Sequence, residues 1–117
     1  MTAEEELQNQ VRDYQLAQQQ LQVIMNQKFQ SNMQVRETKD ALEELRTAAA
    51  GTDVFKSVGR ILVKSDMGKL KDELSTDAET LEVRIKSLEK QENKLKEKMT
   101  GMEKTLLPKL QKVQKAG

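Results

Sequence analysis

In the first part of the chain, apolar residues recur among polar ones with the spacing of an amphipathic helix. From about Thr2 to Ala49, apolar residues recur every three or four positions, at Leu7, Val11, Tyr14, Leu21, Met25, Val35 and Leu42. This spacing is typical of a helix that packs along a coiled-coil seam. Four polar residues interrupt the same stripe: Gln18, Lys28, Asn32 and Lys39. We therefore expect a loosely paired helix, with Ile24, Phe29 and Met33 beside the seam.

A second helix is predicted from about Met67 to Gln114, and its apolar stripe is more regular. Only Glu92 interrupts the repeat of Ala78, Leu81, Ile85, Leu88, Leu95, Met99, Met102 and Leu106. Ser65 or Asp66 is suited to cap its N-terminus. Pro108 lacks a backbone donor and clashes with the preceding turn, so we expect the helix to fray or kink there.

The segment between the helices has a different periodicity. Residues 52–64 are rich in β-branched and apolar side chains, and Gly59 lies where a tight turn would need an unusual φ. The pattern predicts a β-hairpin with strands at about Val54–Val58 and Arg60–Lys64. Because Ile61–Val63 is apolar at consecutive positions, we expect both faces of the hairpin to be covered.

A hairpin of this kind requires partners, because two strands alone are marginal in water and leave two edges unpaired. The hypothesis is that hairpins of several subunits join into a larger sheet or barrel. The residues assigned to subunit assembly are Val54, Phe55, Val58, Gly59, Ile61, Leu62 and Val63. The alternative is a self-contained plug at the bend between the helices.

These elements predict an all-α dominated fold, an antiparallel helical coiled-coil hairpin with one central β-hairpin that joins an oligomeric β-barrel. A single domain would contain a first helix in residues 1–50, an assembly element in 51–65 and a second helix in 66–117. Since the helices have similar lengths, both chain ends should lie together at one tip and the hairpin at the other end.

Composition excludes several classes of function. The 117 residues include three aromatic side chains and about one third charged residues, which favours a coiled coil over a compact globule. A net charge of +1 provides no broad basic surface for nucleic acid. Without histidine or cysteine, the commonest general base and metal ligands are missing. We therefore predict no enzymatic activity, no cofactor and no metal.

The chain also contains no apolar run that approaches the roughly 18 residues of a membrane span. Its first 20 residues are acidic and rich in glutamine, which is unlike a secretory signal. The sequence therefore predicts a cytoplasmic protein without a membrane partner.

Three stretches resemble the β-type subunits of prefoldin. They are Ala41–Leu45 before the hairpin, Val54–Gly59 within it, and Glu79–Arg84 with Lys90–Glu92 after it. The likeness covers nearly the whole chain, and the hairpin motif at the bend is its specific part. One hairpin instead of two favours the β-type over the α-type. The likeness leaves open whether the subunit is archaeal or a eukaryotic β-type paralogue.

The resemblance implies an ATP-independent chaperone subunit in a heterohexamer of two α-type and four β-type subunits. Hairpins would form a double β-barrel platform that carries six coiled-coil arms. The arm tips would bind non-native polypeptides and deliver them to a group II chaperonin.

Candidate client-binding residues are the apolar side chains near both chain ends: Leu7, Val11, Tyr14, Leu16, Leu21, Met99, Met102, Leu106, Leu107, Leu110 and Val113. The alternative for each is that it closes the coiled coil. Adjacent Leu106 and Leu107 cannot both be buried by one helix face, and flexible methionine side chains suit varied partners.

Two other functions remain as alternatives. One is a structural coiled-coil scaffold without client binding, which would not need the apolar hairpin. The other is a helix that binds nucleic acid or a membrane surface, which the near-neutral charge disfavours. The lysine-rich run from Lys94 to Lys115 is interpreted as a solvated face, with docking to an acidic chaperonin surface or weak nucleic-acid contact as the alternatives.

Overall fold

The computed structural model describes residues 2–116 and contains two long helices connected through a β-hairpin. The elements are α1 (Ala3–Thr47), β1 (Val54–Val58), β2 (Ile61–Ser65) and α2 (Met67–Ala116). The predicted order of helix, hairpin and helix is confirmed. Met1 and Gly117, the outermost residues of the predicted segments, lie outside the described residues.

Both helices begin at a side-chain cap. The Thr2 hydroxyl oxygen accepts a hydrogen bond from the backbone N–H of Glu5 at 3.2 Å. The Asp66 carboxylate accepts one from the backbone N–H of Lys69 at 2.8 Å. Each cap satisfies a donor that the first turn leaves without a helical partner. Of the two predicted caps of α2, Asp66 is the one used, because Ser65 belongs to β2.

Helix α2 contains two residues that weaken helices, and it continues through both. Gly101 lowers helix stability by about 1 kcal/mol relative to alanine. Pro108 leaves one carbonyl of the preceding turn without its helical donor. The helix nevertheless extends to Ala116, so the fraying expected at Pro108 does not end it.

The chain divides into two compact units. Unit 1 comprises Met1–Lys28 and Ser87–Gly117, and unit 2 comprises Phe29–Lys86. Each unit therefore combines part of α1 with part of α2, and unit 2 also contains the hairpin.

The two helices run antiparallel within each unit. In unit 1, Lys109 Nζ donates to Gln10 Oε1 at 3.0 Å, whereas Lys28 contacts a residue much earlier in α2, Glu92. In unit 2, Lys39 Nζ lies 2.7 Å from Glu82 Oε1, whereas the later residue Arg46 borders a groove with the earlier residue Lys71.

The seam of α2 agrees with its predicted stripe. All eight apolar positions are buried or half-buried, and so is Glu92 between them. No described side chain of the molecule is fully enclosed. The interior of each unit is thus a narrow line of contact between two helices, as expected for a coiled coil.

The seam of α1 differs from its predicted stripe. Twelve covered positions follow an unbroken three-four repeat: Leu7, Gln10, Tyr14, Ala17, Leu21, Ile24, Lys28, Ser31, Val35, Thr38, Leu42 and Leu45. Val11 and Ala41, beside this repeat, are also half-buried. The prediction was wrong for Met25, Gln18, Asn32 and Lys39, which are exposed, and for Ile24, which lies in the seam. The small side chains of Ala17 and Ser31 occupy two seam positions, and they carry little apolar signal in the sequence.

Two charged residues that interrupt the apolar stripes face each other in unit 1. Lys28 Nζ lies 3.1 Å from Glu92 Oε1, with side chains 28% and 10% exposed. Lys96 Nζ lies 3.6 Å from the same oxygen. The hydrogen bond from Lys28 holds the pKa of Glu92 below its ordinary value, against the opposing effect of desolvation. Because removing Glu92 would leave the Lys28 charge without its partner in the seam, the pair favours this register.

We expect Glu92→Gln to lower the melting temperature at neutral pH and to matter progressively less in acid. The folded pKa of Glu92 is depressed, so its contribution is complete above the ordinary glutamate value of about 4.3 and is lost as the pH falls through the lower folded value. Thermal unfolding followed by circular dichroism at neutral and acidic pH measures this. Exposed Glu89→Gln, on the same helix, is the control. An equal loss at both pH values would contradict the pairing.

Candidate functional site

The hairpin turn is built on a single glycine with a left-handed backbone. Gly59 has φ +60°, and no described residue other than glycine has a positive φ. Strand pairing matches Val58 with Ile61, so the loop consists of Gly59 and Arg60 alone. Positive φ at the first loop position only is the type II′ pattern, whose twist suits paired strands. Strand β2 therefore begins at Ile61, one residue later than predicted.

Both faces of the hairpin are apolar and exposed within this chain. One face carries Val58, Ile61 and Val63, and the other carries Phe55 and Leu62, because side chains alternate along each strand. Leu62 is 73% exposed and Phe55 is 55% exposed. The expectation that both faces are covered is thus not met by the described residues of a single chain.

The two outer edges of the hairpin are also unpaired among the described residues. A two-residue turn is flanked by a hydrogen-bonded pair, and such pairs alternate with pairs whose backbone groups point outwards. Given the register, Phe55 and Ser57 present their N–H and C=O groups at the β1 edge, and Leu62 and Lys64 present theirs at the β2 edge. Each edge can accept another strand.

Contacts with the rest of unit 2 are concentrated at the hairpin base. Val54 and Ser65, the pair farthest from the turn, are half-buried. Lys56 Nζ lies 3.1 Å from Glu73 Oε2 of α2, with both side chains substantially exposed. Exposed ion pairs of this kind contribute little stability. The apolar part of the hairpin near the turn therefore projects without support from its own chain.

Unit 1 divides the predicted client-binding residues into two groups. A small core forms around Ala17, Leu95 and Met99, with Tyr14, Leu21, Ile24 and Met102 packed against it. Leu106 is also buried, and Leu7 and Val11 are half-buried. The predicted client-binding residues that pack between the helices, fully or in part, are therefore Leu7, Val11, Tyr14, Leu21, Met99, Met102 and Leu106.

Four of the predicted residues are exposed instead, and we call them the chain-end apolar set: Leu16, Leu107, Leu110 and Val113. Leu107 is 55% exposed beside Leu106, which is 5% exposed. The geometric argument that one helix face cannot bury both is thus correct. Leu110 also borders a groove with Leu7 and Val11.

Tyr14 connects the two helices of unit 1 through its hydroxyl group, which donates a hydrogen bond to Glu103 Oε1. This bond, together with desolvation and the nearby negative charge, raises the pKa of Tyr14 above 10.0. Tyr14 is therefore a structural contact between the helices, with its ring against the small core.

Sequence reasoning left several exposed apolar residues out of the candidate site. Phe29 is 65% exposed on unit 2, and Met33 lies one turn further along the same helix. Together with Val35 they border a groove of about 720 Å³. Their position beside the seam was visible in the sequence, and this was the signal that could have identified them. Val83 is similarly exposed on α2.

In residues 2–116, no group of three or more acidic, histidine or cysteine residues is arranged to hold a metal ion. None of the helices in this part of the chain is sufficiently long and apolar to cross a membrane.

Comparison with known proteins gives consistent matches. A family model described as prefoldin subunit matches residues 8–113. The chain is 46% identical over 82 residues to prefoldin subunit beta of Thermococcus onnurineus, covering 70% of this chain and 71% of that protein. It is 42% identical over 101 residues to prefoldin subunit beta of Archaeoglobus fulgidus, covering 86% and 87%. The crystal structure of the prefoldin beta subunit from Thermococcus strain KS-1 superimposes with a TM-score of 0.78 at 35% identity, covering 90% of this chain and 92% of that one.

The single tyrosine allows the contact between Tyr14 and Glu103 to be tested directly. Because the chain contains no tryptophan, the ultraviolet absorbance of tyrosinate reports on Tyr14 alone. We expect the pKa of Tyr14 to lie above 10 in wild type and closer to 10 in Glu103→Ala, since the variant loses the hydrogen-bond acceptor and its negative charge. Glu97→Ala on the same helix is the control. Identical titrations of wild type and Glu103→Ala would show that the contact is not made.

Proposed function

This chain belongs to the prefoldin family, and we propose that it is a subunit of an ATP-independent chaperone that holds non-native proteins. In this proposal, the hairpin assembles the complex, the chain ends capture clients, and a group II chaperonin receives them. The family is one of chaperone subunits, not of enzymes. The proposed location is the cytoplasm.

The observation that carries the proposal is the uncovered hairpin. A pair of strands with two apolar faces and two open edges is unstable in water unless other strands and side chains cover it. Hairpins of further subunits have the matching chemistry, because each also offers open edges. The family likeness gives the expected partners as α-type subunits and further β-type copies, with two α and four β in a β-barrel platform.

Client capture is assigned to the chain-end apolar set. These side chains are already in contact with water, so binding them to an unfolded segment buries apolar area without breaking a helix contact. Each such contact is weak and carries little sequence preference. Several arms acting on one client would add their contributions through a raised effective concentration. This arrangement suits a holding chaperone that must later release its client.

The remaining predicted client-binding residues have a supporting part in this proposal. Tyr14, Met99 and Leu106 pack between the helices and hold the chain-end apolar set in place. Leu7 and Val11 are half-buried and border a groove with Leu110, so they can contribute to both tasks.

We expect Leu62→Asp to prevent assembly without unfolding the subunit. Leu62 is exposed in the single chain, so the helices tolerate the change. Burying a charge inside a barrel, in contrast, costs at least several kcal/mol, on the order of the cost of an unpaired polar group or more. Mass determination after co-expression with an α-type subunit, together with circular dichroism, separates the two effects. Val83→Asp places the same charge on a similarly exposed residue of α2. A variant complex of full size would contradict the assembly role.

We expect the triple change Leu107→Ser, Leu110→Ser and Val113→Ser to leave the complex intact but to weaken protection of an aggregating client. Losing three side chains of this size from an interface should reduce client affinity by at least about tenfold. Light scattering of a chemically unfolded reference protein during dilution measures protection.

The matched control for that experiment is Val23→Ser with Val83→Ser, two exposed apolar residues outside the chain-end apolar set. If the triple variant protects as well as wild type, capture does not use this set. If wild type does not protect either, the chain is a scaffold and not a chaperone subunit.

A further inference from the structure

Gly101 lies in the interior of α2, where neither backbone conformation nor space requires glycine. Its φ is not among the positive values, which belong to Gly51 and Gly59. A Cβ atom built on Gly101 would meet nothing within 4 Å outside its own helix turn. Alanine would strengthen the helix here. The glycine therefore weakens α2 and gives no packing advantage in return.

What the missing side chain leaves is a groove between the two helices of unit 1. It has a volume of about 280 Å³ and is lined by Gln10 and Asp13 of α1 and by Gly101, Met102, Thr105 and Leu106 of α2. Leu106 is buried and Met102 is half-buried, so the floor is apolar. The volume lies just below the usual range for whole small-molecule ligands, and it suits one large aliphatic side chain.

The polar groups around this groove differ in how they are used. The Gln10 side chain accepts a hydrogen bond from Lys109 at 3.0 Å. The Thr105 hydroxyl donates to the Gly101 carbonyl at 3.3 Å. Among the side chains of residues 2–114, the Asp13 carboxylate has no hydrogen-bond or ion-pair partner. A negative charge without a partner beside an apolar floor complements a ligand that carries a cation next to an apolar group.

We propose that the Gly101 groove is a side-chain subsite for clients, which takes a leucine or methionine side chain of a non-native polypeptide whose neighbouring lysine or arginine pairs with Asp13. The inference rests on the proposed chaperone function and adds a preference to it. Segments with an aliphatic residue next to a basic one bind here better than segments with an aliphatic residue next to an acidic one. The chain-end apolar set supplies the less selective remainder of the contact.

The test uses the full chain assembled with an α-type subunit and two fluorescent peptides of neutral polar sequence. One peptide contains a leucine followed by lysine, and the other a leucine followed by glutamate. Gly101→Leu fills the groove from within and stabilises the helix. It should therefore raise the melting temperature. It should also lower the affinity for the leucine-lysine peptide by about tenfold or more, which corresponds to the exclusion of one side chain. Thr100→Leu adds the same side chain at the neighbouring position, outside the groove, and should not weaken binding.

Asp13→Asn tests the charge separately from the shape. It should lower the affinity for the leucine-lysine peptide by about two- to fivefold, as expected for an exposed ion pair. It should not lower the affinity for the leucine-glutamate peptide. High salt should reduce the preference of wild type between the two peptides. The groove and its charge are thus examined by variants that act independently.

Three results would overturn the subsite. They are unchanged peptide binding in Gly101→Leu, an unchanged preference in Asp13→Asn, and peptide binding too weak to detect in a wild-type complex that still protects an unfolded protein from aggregation. In each case the chaperone proposal stands as long as wild type protects the client. A wild-type complex that neither binds the peptides nor protects the client contradicts both proposals.

Discussion

The fold depends on one constraint, which is that each helix has only the other helix to cover its apolar stripe. In each unit the interior is a line of seam contacts, and none of the described side chains is fully enclosed. In such a structure, stability accumulates along the seam from many small contributions instead of coming from a central core. Most apolar residues off the seam are therefore exposed. This gives the molecule apolar surface for binding without an extra structural element, and it explains why exposed leucine, valine and phenylalanine side chains accompany a regular seam.

Polar residues within that seam determine which pairing is allowed. Lys28 and Glu92 would each weaken an apolar seam, yet they neutralise each other in the antiparallel register that the helices of unit 1 adopt. Ser31, also buried, contributes little apolar attraction. Such positions lower stability in exchange for a unique alignment. Alignment matters here because it determines which side chains of α1 lie opposite the Gly101 segment of α2.

The order of elements and the seam of α2 from Ala78 to Leu106 were predictable, because apolar residues mark nearly every seam position of that stretch. The seam of α1 was not predictable at Ala17 and Ser31, since the suitability of a small residue depends on what the opposite helix places against it, whereas Lys28 was correctly placed in the seam. The hairpin was predictable from its composition, and its exact turn depended on whether Arg60 joined the loop. For the candidate site, the adjacent positions of Leu106 and Leu107 in the sequence were sufficient to predict that one helix face could not bury both. The groove at Gly101 has no signature in the sequence, because it arises from space between two helices.

The two-residue turn at Gly59 also limits how this subunit can be altered. Side chains alternate between faces with a period of two, so one residue added beside Arg60 would exchange the faces of every following position in β2. Leu62 would then point where Val63 points now. Length changes are better placed in residues 48–53, where the chain passes from α1 to β1 and Gly51 already adopts a left-handed backbone. A label or fusion inserted there would keep the order in which the strands present their side chains.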